Sequence, residues 1–306
     1  MKREIILGDC VSELKKIEDE TIDLVIADPP YWKVVGESWD YEWRTERDYV
    51  EWSVQWISEA SRALRKGGTL YLFGYFRNLA LLVPHLERCG LELRQQIVID
   101  KGIKAVAGRA TRDYKLFPNV TESILFVIKD SKPFIKRFLK ERQKELGLTA
   151  REINERLGVK SNGGGMWSIY TGDNVCEQIP TAELWSKLQE ILRFDLPYEA
   201  IAQTFNPQMG ITDVWRDIDF YQEKRLHPTQ KPLPLIKRLI QASSNPNDLV
   251  LDPFAGSGTT AIACLQLNRQ FIVVEKDEKY CSLIRERVDD YLNPLKHLAS
   301  VADTAS

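Results

Sequence analysis

The chain has 306 residues, enough for one large α/β domain with an insertion or for two domains. Hydrophobic residues make up 43% of it, so a full core can be buried, and a formal net charge of -2 excludes recruitment of an anionic partner by bulk charge alone. Five cysteines without a C-x-x-C pair, three dispersed histidines and no run approaching 18 apolar residues argue against a disulfide framework, a metal site and a membrane span; the start "MKREIILGDC" is too short in its apolar run for a signal peptide, so a soluble cytoplasmic protein is expected.

The first predicted strand is "EIILGD" (4–9), a short apolar run stopped by Asp9, with a short helix in "CVSELKKIED" behind it. "TIDLVIAD" (21–28) is a β-rich buried strand ended by prolines, which places "DPPY" at 28–31. A helix is predicted over 46–68, where Tyr49, Trp52, Trp56, Ala60 and Ala63 recur at helical spacing and Gly67-Gly68 makes the stop; Trp52 and Trp56, four apart, are expected in the core. A strand follows at 69–74 and a helix at 76–90, kinked by Pro84. Strands at 91–100 and 120–129 enclose a basic, glycine-containing loop. Composition then changes. Residues 133–206 read as a helical insertion, clearest at 148–159, where Thr149 and Glu152 form a capping box and Gly158 ends the helix; "SNGGGMWS" (161–168), with Trp167, reads as a glycine-rich turn. Alternation resumes with a helix at 233–244, a strand at 248–254, a helix at 259–268, a strand at 271–277 and a helix at 278–292, before a tail at 293–306. Alternating β and α elements predict a doubly wound, mostly parallel sheet.

Charge is unevenly spread. Residues 94–160 hold 16 Lys/Arg against 8 Asp/Glu, leaving about -10 on the rest of the chain. A basic segment on an acidic body fits a directed anionic partner, or equally a solvated helical face.

"LDPFAGSGTT" (251–260) is a strand, a glycine-rich turn and a helix start, and Gly256 and Gly258 let backbone approach a ligand closely. The turn has no Lys, so it is not a phosphate-gripping P-loop; Thr259 and Thr260 stand where the third glycine of a dinucleotide fingerprint belongs. Glu275 ends the next strand, placed to hold a ribose diol. A nucleoside cofactor without a pyrophosphate fits this pattern, and S-adenosylmethionine is one. The competing reading is a tight strand–helix turn with a surface Glu.

Taken together, "DPPY", "DPFAGSGTT", Glu275 and "HPTQKP" (227–232) resemble the S-adenosylmethionine-dependent DNA amino-methyltransferases, with the motif order of their β class. The resemblance covers about residues 4–132 and 207–292 as a catalytic domain, and implies a Rossmann-like methyltransferase sheet whose motif order is circularly permuted. Its usual sheet runs from the glycine-loop strand to the ribose-acid strand, a third strand and the target-base strand. Here the chain starts at the third strand, so Asp9 falls near the cofactor adenine unless it is a plain turn acid.

The resemblance assigns Asp28, Pro29, Pro30 and Tyr31 to catalysis. Asp28 and the Pro29 carbonyl would accept the two N–H bonds of an exocyclic amino group, whose lone pair is otherwise delocalised into the ring. The prolines stiffen the turn, and Tyr31 would stack on the flipped base. It assigns Asp9, Asp252, Pro253, Phe254, Gly256, Ser257, Gly258, Glu275, His227 and Thr229 to the cofactor, with His227 either in contact or capping its loop. Lys101, Lys104, Arg109, Arg112 and Lys115 become candidates for contacts to double-stranded DNA. Trp39, Tyr41, Trp43 and Arg44 either close over the base or simply pack, and 133–206 is the candidate target-recognition region. "DPPY" favours adenine N6 over cytosine N4; an RNA amino-methyltransferase and a non-catalytic DNA-binding module are the other readings. No metal is needed. A homodimer, a cognate restriction endonuclease and a prokaryotic or phage nucleoid setting are further implications of the resemblance.

Overall fold

The computed structural model describes residues 1–32, 42–106, 115, 117–158, 165–172, 175–223, 226–227 and 229–294. Its strands are β1 (Arg3–Leu7), β2 (Ile22–Ala27), β3 (Leu64–Gly74), β4 (Leu91–Asp100), β5 (Thr121–Lys129), β6 (Val214–Trp215), β7 (Leu249–Asp252) and β8 (Gln270–Glu275). They form one sheet in the order β1-β8-β7-β2-β3-β5-β4-β6. Every neighbouring pair is parallel except the two that involve β5. The expected doubly wound, mostly parallel sheet is therefore present. Its permutation is visible at the centre, where Leu24 pairs with Val250 and Val25 with Leu251.

Alternation along β2 explains the two helical layers. Leu24 and Ile26 face a core shared with α8 (Leu233–Ser243), α9 (Thr259–Gln266) and α10 (Glu278–Leu292). Val25 and Ala27 face the opposite core, with α1 (Cys10–Leu14), α2 (Glu46–Ala63) and α3 (Phe76–Leu86). A strand buried on both faces reads as a continuous apolar run, as "IDLVIA" does.

The helix predicted over 46–68 ends earlier, at Ala63, and β3 begins at Leu64. Ile22 pairs with Leu64 but Leu24 with Thr69, so the chain between bulges out of register. Gly67, at φ +69°, sits in that bulge because a Cβ there would lie 2.5 Å from the Ala202 carbonyl oxygen. The glycine serves a close approach of two backbones, not a helix stop.

The helical segment contains α4 (Lys132–Leu146), α5 (Ala150–Leu157), α6 (Gly165–Thr171) and α7 (Ala182–Leu192). Thr149 and Glu152 make the expected capping box, and Gly158 takes the left-handed conformation at the end of α5. Trp167 is helical and buried rather than in a turn; it joins Ile135, Leu139, Ile153, Trp185 and Leu188 in a separate core. These helices dock on the amino-terminal edge of the parallel strands. There Arg65, which also donates to Asp23 Oδ1 (2.8 Å), donates to the carbonyls of Glu199 (3.2 Å) and Ala202 (3.0 Å) and to Thr204 Oγ1 (2.7 Å). Lys66 Nζ lies 4.3 Å from the Phe134 ring centroid. Among the described residues no helix is long and apolar enough to cross a membrane.

A candidate active site at the carboxyl edge of the sheet

Four parallel strands end side by side at the other edge. β1 leads to Asp9, β2 to Asp28, β7 ends at Asp252 and β8 at Glu275. A cleft opens beyond them, where ligands of open α/β sheets bind. Its walls include Asp9, residues 28–31, Trp43, Trp52, His227, Thr229, Lys231, residues 252–257 and Glu275. The distant motifs thus converge on one space, and no residue of α4–α7 lines it.

On the cofactor side of this expectation, the glycine turn is braced by carboxylates. Asp252 Oδ1 accepts from Phe254 N (2.9 Å) and Oδ2 from Thr260 Oγ1 (2.5 Å). Burial pushes the Asp252 carboxyl up to about 7. Glu275 Oε2 accepts from Gly256 N (2.7 Å) and Oε1 from Asp277 N (2.9 Å), while burial raises its pKa. Gly258 has φ +78°, and a Cβ there would meet Ile284 Cγ1 at 2.8 Å. Both carboxylates shape the turn, and the oxygens of Glu275 keep further lone pairs for a ligand. Ser257 is buried beside Thr259 (Oγ to Oγ1, 3.4 Å), and Pro253 lines the cleft.

His227 caps its own loop, and its ring borders the cleft. That ring packs edge-on against Tyr280 at 4.4 Å, and its Nδ1 accepts from Thr229 N (3.2 Å). Burial, then the nearby Lys231 charge, lowers its pKa. Asp9 is exposed at the rim and caps α1, with Oδ1 accepting from Ser12 N (3.0 Å). Phe254 packs edge-on against Trp56 (5.1 Å) and near Trp52 (5.9 Å). Trp56 is in the core as expected; Trp52 and Trp43 also form the cleft wall. Arg44 is exposed, and Trp39 and Tyr41 lie outside the described residues.

The "DPPY" turn is gripped by two residues that sequence reasoning missed. Tyr31, only 5% exposed, donates from its hydroxyl to Asp28 Oδ1 at 2.6 Å, and the same hydroxyl lies 2.8 Å from Glu122 Oε1. Lys231 Nζ reaches Asp28 Oδ2 (2.7 Å), Glu122 Oε1 (2.9 Å) and Tyr31 Oη (3.3 Å), three acceptors for the three protons of an ammonium. Burial raises the Asp28 pKa against the pull of Lys231, and the Glu122 charge raises it further. Burial also works against ionised Glu122, but Lys231 and Lys101 more than offset it and hold its carboxyl below the usual range. Burial and the two carboxylates push the Tyr31 phenol upward. Lys231 stands inside the quoted "HPTQKP"; Glu122 is one charge in an apolar strand pattern, and only the fold shows what it faces.

β4 ends and β5 begins at this same edge, so the described residues that flank the basic loop lie there. Lys101, expected to face DNA, turns inward: its Nζ is 3.5 Å from Glu122 Oε2 and its side chain only 15% exposed. The cause is the buried carboxylate, which a neighbouring cation offsets. Lys104 and Lys115 are exposed; Arg109 and Arg112 lie outside the described residues. Among the described residues no group of His, Cys, Asp and Glu has the arrangement of a metal site.

Residues 22–286 match the model of a family described as DNA methylase. The DNA adenine methyltransferase YhdJ of Escherichia coli (strain K12) is 29% identical over 296 residues, covering 94% of this chain and 83% of that one. The crystal structure of the M1.HpyAVI–SAM complex shares the fold with TM-score 0.53 and 20% identity, covering 93% of this chain and 98% of that one. The PvuII DNA methyltransferase, described as cytosine-N4-specific, shares it with TM-score 0.53 and 16% identity, covering 91% and 83%.

Proposed function

This chain belongs to the DNA methylase family, the S-adenosylmethionine-dependent amino-methyltransferases of DNA, and from that premise we propose that it methylates N6 of adenine in double-stranded DNA. The observation that carries the reading is the convergence of the "DPPY" turn, the glycine turn and Glu275 on one cleft. Adenine is favoured because the turn begins with Asp28 and because a relative of 29% identity is a DNA adenine methyltransferase.

The donor set suits S-adenosylmethionine. Glu275 offers lone pairs to ribose hydroxyls, Phe254 and Trp52 offer apolar faces, and Gly256, at φ +52°, leaves the backbone bare on the cleft, whereas Gly258 makes room for Ile284 instead. Bound there, the cofactor would supply an electrophilic methyl group. The protein's part is to hold the amino group in line with it, and positioning of this kind is a large catalytic term. Asp28 and the Pro29 carbonyl accept the two N–H bonds, which favours a pyramidal nitrogen with its lone pair free. Pro29 and Pro30 cannot donate N–H bonds that would compete. The target base must leave the duplex at a cost of a few kcal/mol, which Tyr31 and the aromatic wall help to offset. Lys104, Arg109, Arg112 and Lys115 belong to the loop proposed to face DNA. The helical segment, on the far edge, could read DNA only beyond the pocket, through an outer face such as that of Arg137, Lys140 and Lys144.

The test is to methylate unmodified genomic DNA in vitro and hydrolyse it to nucleosides. N6-methyladenine is expected; N4-methylcytosine without it would overturn the choice of base, and methylation confined to RNA would overturn the choice of polymer. Asp28→Ala should retain S-adenosylmethionine binding by calorimetry and lose at least about 100-fold in turnover. Near-normal turnover by that variant would remove Asp28 from the mechanism.

A further inference from the structure

Resting on the proposed reaction at Asp28, the geometry points to Lys231 and Glu122 as an opposed pair of positioning residues that set the charge and orientation of the Asp28 carboxylate. The two come from elements on either side of the turn. Glu122 is the second residue of β5, and Lys231 precedes α8. Both are buried, at 4% and 8% exposure, whereas the Asp28 side chain is 20% exposed to the cleft. A buried charge is retained only against a heavy desolvation cost, so paired burial beside a cleft carboxylate calls for a reason.

The contacts supply one. Lys231 holds Asp28 Oδ2 while the Tyr31 hydroxyl holds Oδ1, so both oxygens are anchored and the plane of the carboxylate is fixed. Each oxygen keeps a second lone pair, which can face the incoming amino group. Glu122 does the opposite work. It competes for the same ammonium and the same phenol proton, and Lys101 adds a second cation on its far side. Tyr31 has one proton and two carboxylate neighbours, so a gain of negative charge on one draws that proton from the other. Lys231 thus favours the ionised form of Asp28, the form that accepts N–H bonds, and Glu122 limits how strongly that charge is held. Among the described residues, the other charged groups near the cluster include Lys101, which faces Glu122, Asp252, at the end of the neighbouring strand β7, and His227, on the segment that carries Lys231.

Opposite substitutions should therefore act in opposite directions. Lys231→Met removes the cation and makes Asp28 harder to ionise, so the acidic limb of the turnover–pH profile moves to higher pH. Glu122→Gln removes the like charge at nearly constant shape, so the limb moves to lower pH. Shifts of about one unit or more are expected from charges at these separations. Lys231→Arg, which keeps the charge, should restore the limb most of the way. KM for S-adenosylmethionine should change far less than kcat in all three. A second readout needs no turnover: the titration of the Asp28 carboxyl carbon in protein labelled with 13C aspartate, its resonance assigned by loss in Asp28→Asn. If the wild-type chain transfers no methyl group to DNA, the proposed function fails while the titration still tests the pair. Limbs and titrations that stay put, or that move in the same direction in both variants, overturn the inference. Should Lys231→Met not fold, the downward shift in Glu122→Gln, or its absence, decides alone.

Discussion

Gly258 takes φ +78° with Ile284 where its side chain would be. Gly258→Ala combines left-handed strain with a steric conflict, and each is of the order of 1–3 kcal/mol. A drop of about 2–4 kcal/mol in unfolding free energy is expected from urea titration, with weaker S-adenosylmethionine binding by calorimetry. Asp252, next to the same turn, gives a pH-dependent test. Its carboxyl sits at about 7 in the folded chain against an ordinary 3.8. Between those values the folded chain binds the extra proton, so its contribution to stability is present at low pH and lost as pH rises towards 7. Asp252→Asn removes that loss. The stability difference between variant and wild type, read from urea midpoints, should move in the variant's favour from about pH 4 to pH 7. These residues also show what a sequence reveals. Asp28, the glycines and Glu275 were legible because each has a spacing rule behind it. Glu122 and Lys231 were not, because a charge in a strand or loop gains meaning only from what folds against it.

Elements were legible where periodicity and punctuation agree, as at β2, β7 and α5 with its capping box. They were misread where one signal had two causes. The glycine pair at 67–68 looked like a helix stop, yet Gly67 is required by the close approach of Ala202, a contact some 135 residues away that no local pattern encodes. The two-residue β6 is too short for periodicity to detect at all. The junction between sheet and helical segment is itself testable. Arg65 ties Asp23 to the carbonyls of Glu199 and Ala202 and to Thr204, and hydrogen bonds to charged groups are each worth about 1.5–3 kcal/mol. Arg65→Ala should lower the melting temperature by roughly 5–10 °C, as a loss of a few kcal/mol does in a chain of this size. Methylation of the same target sequence should persist, since this contact lies at the edge away from the cleft. A changed target would mean that the helices reach the recognised bases.

At the scale of the molecule, eight strands among the described residues carry two helical layers, and the candidate active-site cleft opens at one edge. The other edge holds a third, smaller core that shares none of the cleft's lining. The overall sheet was legible because a permuted order of familiar parts closes into the same ring of neighbours. The placement of the helical segment was not, because its sequence records its own packing and not which edge of a sheet receives it.

The pairing of Leu24 with Val250 also sets a schedule for synthesis. β2 leaves the ribosome early and waits for β7, a delay on the order of 10–45 s at common elongation rates. Throughout that interval the nascent chain has an apolar strand with one unpaired side, the kind of edge that other chains can capture. Temporary shielding of that side, for instance by a chaperone, is then expected to raise yield, because β3 pairs with the opposite side and leaves it open. A chain broken off before residue 249 would carry the whole "DPPY" turn and still lack the middle of its sheet. A chain that ends before β7 is therefore expected to lack the assembled cleft and to transfer no methyl group.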